Sequence, residues 1–113
     1  METIFDRSTL EELRGRLAGA AYAPGEVDYD EAYKAWNLIA HRHPELAVIA
    51  AGAADIIAAV RLARDEGLGV GVMATGYSVV SPCDGGLLIN TSRMKGVRVD
   101  PEAQSARVEP GAL

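Results

Sequence analysis

The apolar positions near the start of the chain recur at helical spacing: Leu10, Leu13 and Leu17 share one side of a short amphipathic helix. Ser8, with Glu11 three residues on, has the pattern of a capping box, so the helix is predicted to begin there. Gly19 and the turn-forming pair Pro24-Gly25 end it. A second helix is predicted to begin at Asp28 and Glu31. Its apolar face is Tyr29, Tyr33, Trp36 and Ala40, and it closes near His43, because Pro44 disfavours helical geometry in the residue before it. The helical spacing of these aromatics marks a packed core face rather than a stacking box for a ring ligand.

The texture then changes. Leu46 to Ala50 is a short apolar run containing Val48 and Ile49, which predicts a buried strand. From Asp55 to Arg64 the residues Ile56, Ile57, Ala59, Val60 and Ala63 form a broad helical stripe, and Gly67 stands where a left-handed C-cap belongs. A second strand follows at Val70 to Met73. Strand, helix and strand within about thirty residues have the size of a right-handed parallel crossover unit. Beyond Gly76 the pattern predicts short strands at Leu87 to Asn90, Gly96 to Val99 and Ala106 to Glu109, the last two separated by a turn at Pro101. The fold class is therefore α+β: a helical lead-in over residues 1–43, then an α/β crossover unit followed by short strands over 44–113. Apolar strand surface is expected to lie uncovered toward the last strands.

Composition narrows the function classes. With 113 residues, 49% of them hydrophobic, the chain can bury one core. A net charge of -5 with no basic patch excludes a nucleic-acid partner, and an anionic ligand would need a local backbone site. No apolar leader or long hydrophobic run is present, so no membrane partner is expected and a cytoplasmic location is. Cys83 is single, which suits a reducing compartment and marks a plain loop cysteine. His41 and His43 are two apart and share no helix face, so no metal site is assigned. Arg93 and Lys95 read as solvated residues at a strand end.

The segment Met73-Ala74-Thr75-Gly76-Tyr77-Ser78-Val79-Val80-Ser81 carries the candidate chemistry. It leaves the carboxyl end of the second crossover strand, where ligands bind in such sheets. Its small residues let backbone approach a ligand, and successive amides with the Thr75, Ser78 and Ser81 hydroxyls can hold a pyrophosphate without lysine or arginine.

From Ala47 to Leu113 the chain resembles the opening of the FAD-binding domain of the vanillyl-alcohol oxidase and p-cresol methylhydroxylase (PCMH) type, in particular its berberine-bridge-like branch. The likeness runs in order through Ala47-Val48-Ile49-Ala50, Ala54-Asp55-Ile56-Ile57-Ala58-Ala59-Val60, Ala63-Arg64-Asp65-Glu66-Gly67-Leu68 and Ala74-Thr75-Gly76. It continues through Asp84-Gly85-Gly86-Leu87-Leu88-Ile89-Asn90, Ser92-Arg93-Met94, Val99-Asp100-Pro101 and Ala106-Arg107-Val108-Glu109-Pro110-Gly111-Ala112. Upstream, Tyr33 to Asn37 and His41 to Pro44 resemble the lead-in helix of that family.

The resemblance implies an N-terminal subdomain of a flavin domain that is incomplete in itself. It implies FAD as cofactor, bound through Ala74, Thr75, Gly76, Tyr77 and Ser78, with Val79 and Val80 beside them. Tyr77 stands where many members carry the histidine that links covalently to the flavin, so the implied attachment is noncovalent. The remaining flavin contacts, the substrate pocket and the catalytic base lie further along in such proteins, so no catalytic residue is assigned here and a complementing downstream polypeptide is an expected partner. The implied activity is oxidation of an organic substrate by hydride transfer to flavin. The alternative is a noncatalytic remnant that keeps the fold as a partner-binding module.

Overall fold

The computed structural model describes residues 7–29, 44–74 and 85–112. Helix α1 spans Arg7–Arg16 and is followed by strand β1, Ala20–Tyr22. Then come β2 (Leu46–Ile49), α2 (Ala53–Glu66), β3 (Val70–Met73), β4 (Leu87–Asn90), β5 (Val97–Asp100) and β6 (Ser105–Val108). The helix predicted from Asp28 to His43 lies outside the described residues apart from Asp28 and Tyr29. Tyr29 is buried and its hydroxyl donates to the Pro44 carbonyl.

The first sheet has the order β1-β2-β4-β3. Strands β2, β4 and β3 are parallel, and β1 adds to β2 antiparallel. The two strands of the predicted crossover are therefore not neighbours, because β4 enters between them. This order explains the sequence texture: β2 and β4 are buried at all four positions, as central parallel strands covered on both faces must be. Leu46, Val48, Leu87 and Ile89 pack on the side of α1 and α2, with Leu10, Leu13, Ala59 and Ala63. Ala47 and Ile49 pack on the opposite side, with Tyr29 and Tyr22.

Three details differ from the sequence reading. Helix α1 already includes Ser8, so the capping-box serine lies in its first turn rather than ahead of it. Strand β1 was not predicted, because Ala-Ala-Tyr has no strand periodicity and the pairing with β2 creates it. The apolar stripe of α2 is narrower than its composition suggests. The helix meets the sheet through Asp55, Ala59 and Ala63, while Ile57 and Val60 remain 51% and 45% exposed. Val70 and Val72 of the edge strand β3 are exposed as well and, by register with Leu87 and Ile89, lie on the side of the sheet that carries the helices.

Helix α2 ends as the glycine signal requires. Gly67 has φ 69°, the Gly67 N–H donates to the Arg64 carbonyl, and the Leu68 N–H donates to the Ala63 carbonyl at 2.8 Å. Leu68 then packs into the same cluster as Ala63.

The start of α2 holds the lead-in in place. The Asp55 carboxylate is 2% exposed and accepts N–H bonds from Ala18 at 2.9 Å, Gly19 at 2.8 Å and Ala51 at 2.9 Å. Gly19 passes so close to the Ile49 carbonyl that a Cβ there would overlap it. Burial pushes the Asp55 pKa up, but the three backbone donors outweigh that effect and hold it below the ordinary value.

Strands β5 and β6 form a separate antiparallel hairpin closed by a turn at Pro101, with Gln104 in the left-handed region at φ 53°. Register places Val97, Val99, Ala106 and Val108 on one face and Arg98 and Arg107 on the other. Val97, Val99 and Val108 are 60%, 65% and 58% exposed, so the apolar face is uncovered among the described residues, as the sequence led us to expect.

Asp55→Asn should lower the unfolding free energy by about 1–3 kcal/mol, because an amide nitrogen replaces one acceptor facing an N–H. Asp55→Ala, which strands all three donors, should cost more. With the folded pKa depressed, the carboxylate's stabilisation is complete above about pH 3.9 and is lost as pH falls through the lower folded value. Urea melts across that range should show the wild type losing its advantage over Asp55→Asn. An advantage unchanged at acid pH would remove ionised Asp55 from the account.

Candidate functional site

The three parallel strands end in register at Ile49, Asn90 and Met73, and their carboxyl ends define the edge where a ligand would sit. The ladder runs one residue past the strands. The Ala50 N–H donates to the Asn90 carbonyl at 2.9 Å, and the Thr91 N–H donates to the Met73 carbonyl at 2.8 Å. The Thr91 hydroxyl donates to that same carbonyl at 3.3 Å. A tight turn follows β4: the Ser92 N–H donates to Asn90 Oδ1 at 2.9 Å, and the Met94 N–H donates to the Thr91 carbonyl at 3.0 Å.

Gly111 closes this corner from the far side of the hairpin. Its N–H donates to the Met94 carbonyl at 2.8 Å. A Cβ on Gly111 would meet the backbone oxygens of Thr91, Ser92 and Met94 at 2.5, 2.6 and 2.8 Å, so only glycine lets the two segments approach this closely.

The described edge consists of Ala50, Ala51, Gly52, Ala74, Asn90, Thr91 and Ser92, all small or uncharged. The nearby carboxylate, Asp55, is turned inward onto its three backbone donors. It also answers the positive end of the α2 dipole, so the start of α2 is not an independent anion site. Among the described residues this edge carries small or uncharged side chains and Asp55 is not directed at it, which leaves backbone amides and uncharged side chains as its polar groups. Arg93 and Lys95 are exposed beside it, as expected of solvated strand-end residues.

Of the predicted site residues, Ala74 stands half-buried at the root of the loop, one residue beyond β3. Thr75, Gly76, Tyr77, Ser78, Val79 and Val80 lie outside the described residues, as do Ser81, Cys83, His41 and His43. Asn90, Ser92 and Gly111 entered the sequence reading only as parts of the resemblance, without a role at the site, and Thr91 was not named there. Their signal was present in polar turn-formers directly after an apolar strand and in a glycine after Pro110. An open hollow of about 430 Å³ lies along β1 and contains Arg14. That guanidinium is already paired with Glu11 and Glu26 and donates to the Ala21 carbonyl, so the hollow offers no unpaired cation from this arginine. Among the described residues no cluster of His, Cys, Asp or Glu could hold a metal, and no helix is long and apolar enough to cross a membrane.

Comparison with known proteins places this edge in context. Residues 44–113 match the FAD binding domain family. An FAD-linked oxidoreductase of Dictyostelium discoideum is 32% identical over 84% of this chain and 21% of its own length. An uncharacterized FAD-linked oxidoreductase of Bacillus subtilis is 29% identical, with 85% of this chain and 22% of the relative covered. Among solved structures, the 6-hydroxy-D-nicotine oxidase of Arthrobacter nicotinovorans superposes with a TM-score of 0.75 at 25% identity, over 85% of this chain and 22% of that one. A berberine-bridge-like protein of Physcomitrella patens shares the fold with a TM-score of 0.74 at 24% identity, over 88% of this chain and 22% of that one. The chain thus spans about a fifth of the length of the proteins it matches.

Gly111→Ala should destabilise the chain by about 1–3 kcal/mol, the usual cost of forcing a methyl group into a closed contact. Chemical denaturation compared with Gly69→Ala, where a Cβ meets nothing, isolates the effect. Equal midpoints for the two variants would show that the corner opens without cost.

Proposed function

Residues 44–113 belong to the FAD binding domain family, and from that premise we propose that this chain supplies the adenine and pyrophosphate grip of a flavin-dependent oxidoreductase. The grip is the loop Ala74, Thr75, Gly76, Tyr77 and Ser78, flanked by Val79 and Val80. The supporting observation is the carboxyl edge of β2, β4 and β3, where small uncharged residues surround the root of that loop and Asp55 is held away from it. An acidic chain thereby offers an anionic cofactor a local backbone site.

When bound, the flavin would accept a hydride from an organic substrate and be reoxidised by oxygen. The residues of this chain bind and orient. Tyr77, in the position of the linking histidine of covalent relatives, leaves no imidazole to attack the flavin, so the attachment is dissociable.

The remaining contacts belong to further polypeptide of the kind that makes up four-fifths of the relatives. The uncovered face of Val97, Val99 and Val108 supports this, because an isolated two-stranded hairpin is at best marginally stable in water. The 113-residue chain alone should therefore hold FAD weakly.

After incubation with excess FAD and desalting, little flavin should remain, and an acid precipitate should be colourless. A yellow precipitate would refute noncovalent attachment and point to Tyr77. Gly76→Val should weaken FAD binding by about tenfold, or 1.4 kcal/mol, by blocking backbone approach. Titration giving wild-type affinity would exclude the loop from the site.

A further inference from the structure

We propose that Thr91 is a positioning residue for the flavin-binding loop, its hydroxyl fixing the direction in which that loop leaves β3. The proposal rests on the reading of Ala74 to Val80 as the pyrophosphate loop. The Met73 carbonyl receives two donors from one residue, the Thr91 N–H at 2.8 Å and the Thr91 hydroxyl at 3.3 Å. The N–H alone completes the ladder, so the hydroxyl bond is additional to what the sheet requires.

Its target decides its effect. A peptide unit is planar, so the Met73 carbonyl and the Ala74 N–H turn together. Holding the carbonyl on two donors holds the first amide of the loop. Thr91 itself cannot yield easily. It is 3% exposed, the preceding Asn90 carbonyl is tied to Ala50 at the end of β2, and Gly111 lies against the Thr91 carbonyl. The corner Asn90-Thr91 therefore joins the ends of all three parallel strands and aims the amide that follows β3. A buried hydroxyl without a partner is costly, so the side chain has no better arrangement available.

The test uses the 113-residue chain with ADP and FAD as probes, following the Ala74 amide resonance during each titration. Thr91→Val keeps the shape and removes the hydroxyl; Thr91→Ser restores it. Thr91→Val should weaken ADP and FAD about three- to tenfold, as expected for one net hydrogen bond, and should shift the Ala74 amide in the free protein. Thr91→Ser should return both toward wild type. If Thr91→Val does not fold, Thr91→Ala is compared with Thr91→Ser on the same readouts. Wild-type affinity in the valine or alanine variant, or equal loss in the serine variant, would overturn the positioning role. Absence of ADP and FAD binding in the wild type at millimolar ligand would instead overturn the pyrophosphate-loop reading on which it rests.

Discussion

The fold depends on a buried carboxylate that belongs to no ion pair among the described residues. Asp55 gathers backbone N–H groups from the turn after α1 and from the connection between β2 and α2. Without it, three backbone donors would lose their partner and the start of α2 would lose the negative charge that its dipole favours. The consequence is geometric. The carboxylate sets where the segment leading into β1 crosses the end of β2, and the close contact of Gly19 with the Ile49 carbonyl follows from that crossing. Residues ahead of the matched region are thereby fastened to it by main-chain bonds rather than by apolar packing alone.

The same arrangement keeps the Asp55 charge off the edge formed by the strand ends. An outward carboxylate beside a phosphate site would oppose binding by Coulomb repulsion. Here the charge is consumed internally, and what remains at the strand ends is backbone, alanine, glycine and hydroxyl. The order β1-β2-β4-β3 puts β4 between the two crossover strands, so the turn after β4 stands against the exits of both. The strand placed second in space is last of the three in the chain, and this makes the Asn90-Thr91 corner the common support of the edge.

Elements with strong local signals were legible in the sequence. The apolar runs of β2 and β4, the glycine cap of α2 at Gly67 and the alternation of Val97-Arg98-Val99-Asp100 each carry their own instruction, and the structure follows them. What could not be read is what depends on partners distant in sequence. Strand β1 is a strand because β2 lies beside it. The role of Asp55 was invisible for the same reason: an acid near a helix start is ordinary, and only the approach of Ala18 and Gly19 from thirty-six residues away or more makes it central. Ile57 and Val60 read as core and are exposed, because periodicity gives the width of an apolar stripe but not how much of it neighbouring elements cover. For the site, the loop rests on the resemblance alone, while the Asn90-Thr91 corner beside its root emerged only from the strand order.

The described residues divide into a well-buried sheet and a hairpin whose apolar face is exposed. Bonds that fix the strand ends are made among the described residues: Ala50 to Asn90, Thr91 to Met73, Gly111 to Met94. The exit of the chain from β3 at Ala74 is thus set by main-chain bonds of the sheet and of the corner beside it. The hairpin is the reverse case, with sound main-chain pairing and an apolar face in contact with water. Buried area, not hydrogen bonding, is what it lacks. The two parts thus differ in what holds them: main-chain bonds fix the strand ends, while the hairpin has full pairing without covered apolar area among the described residues.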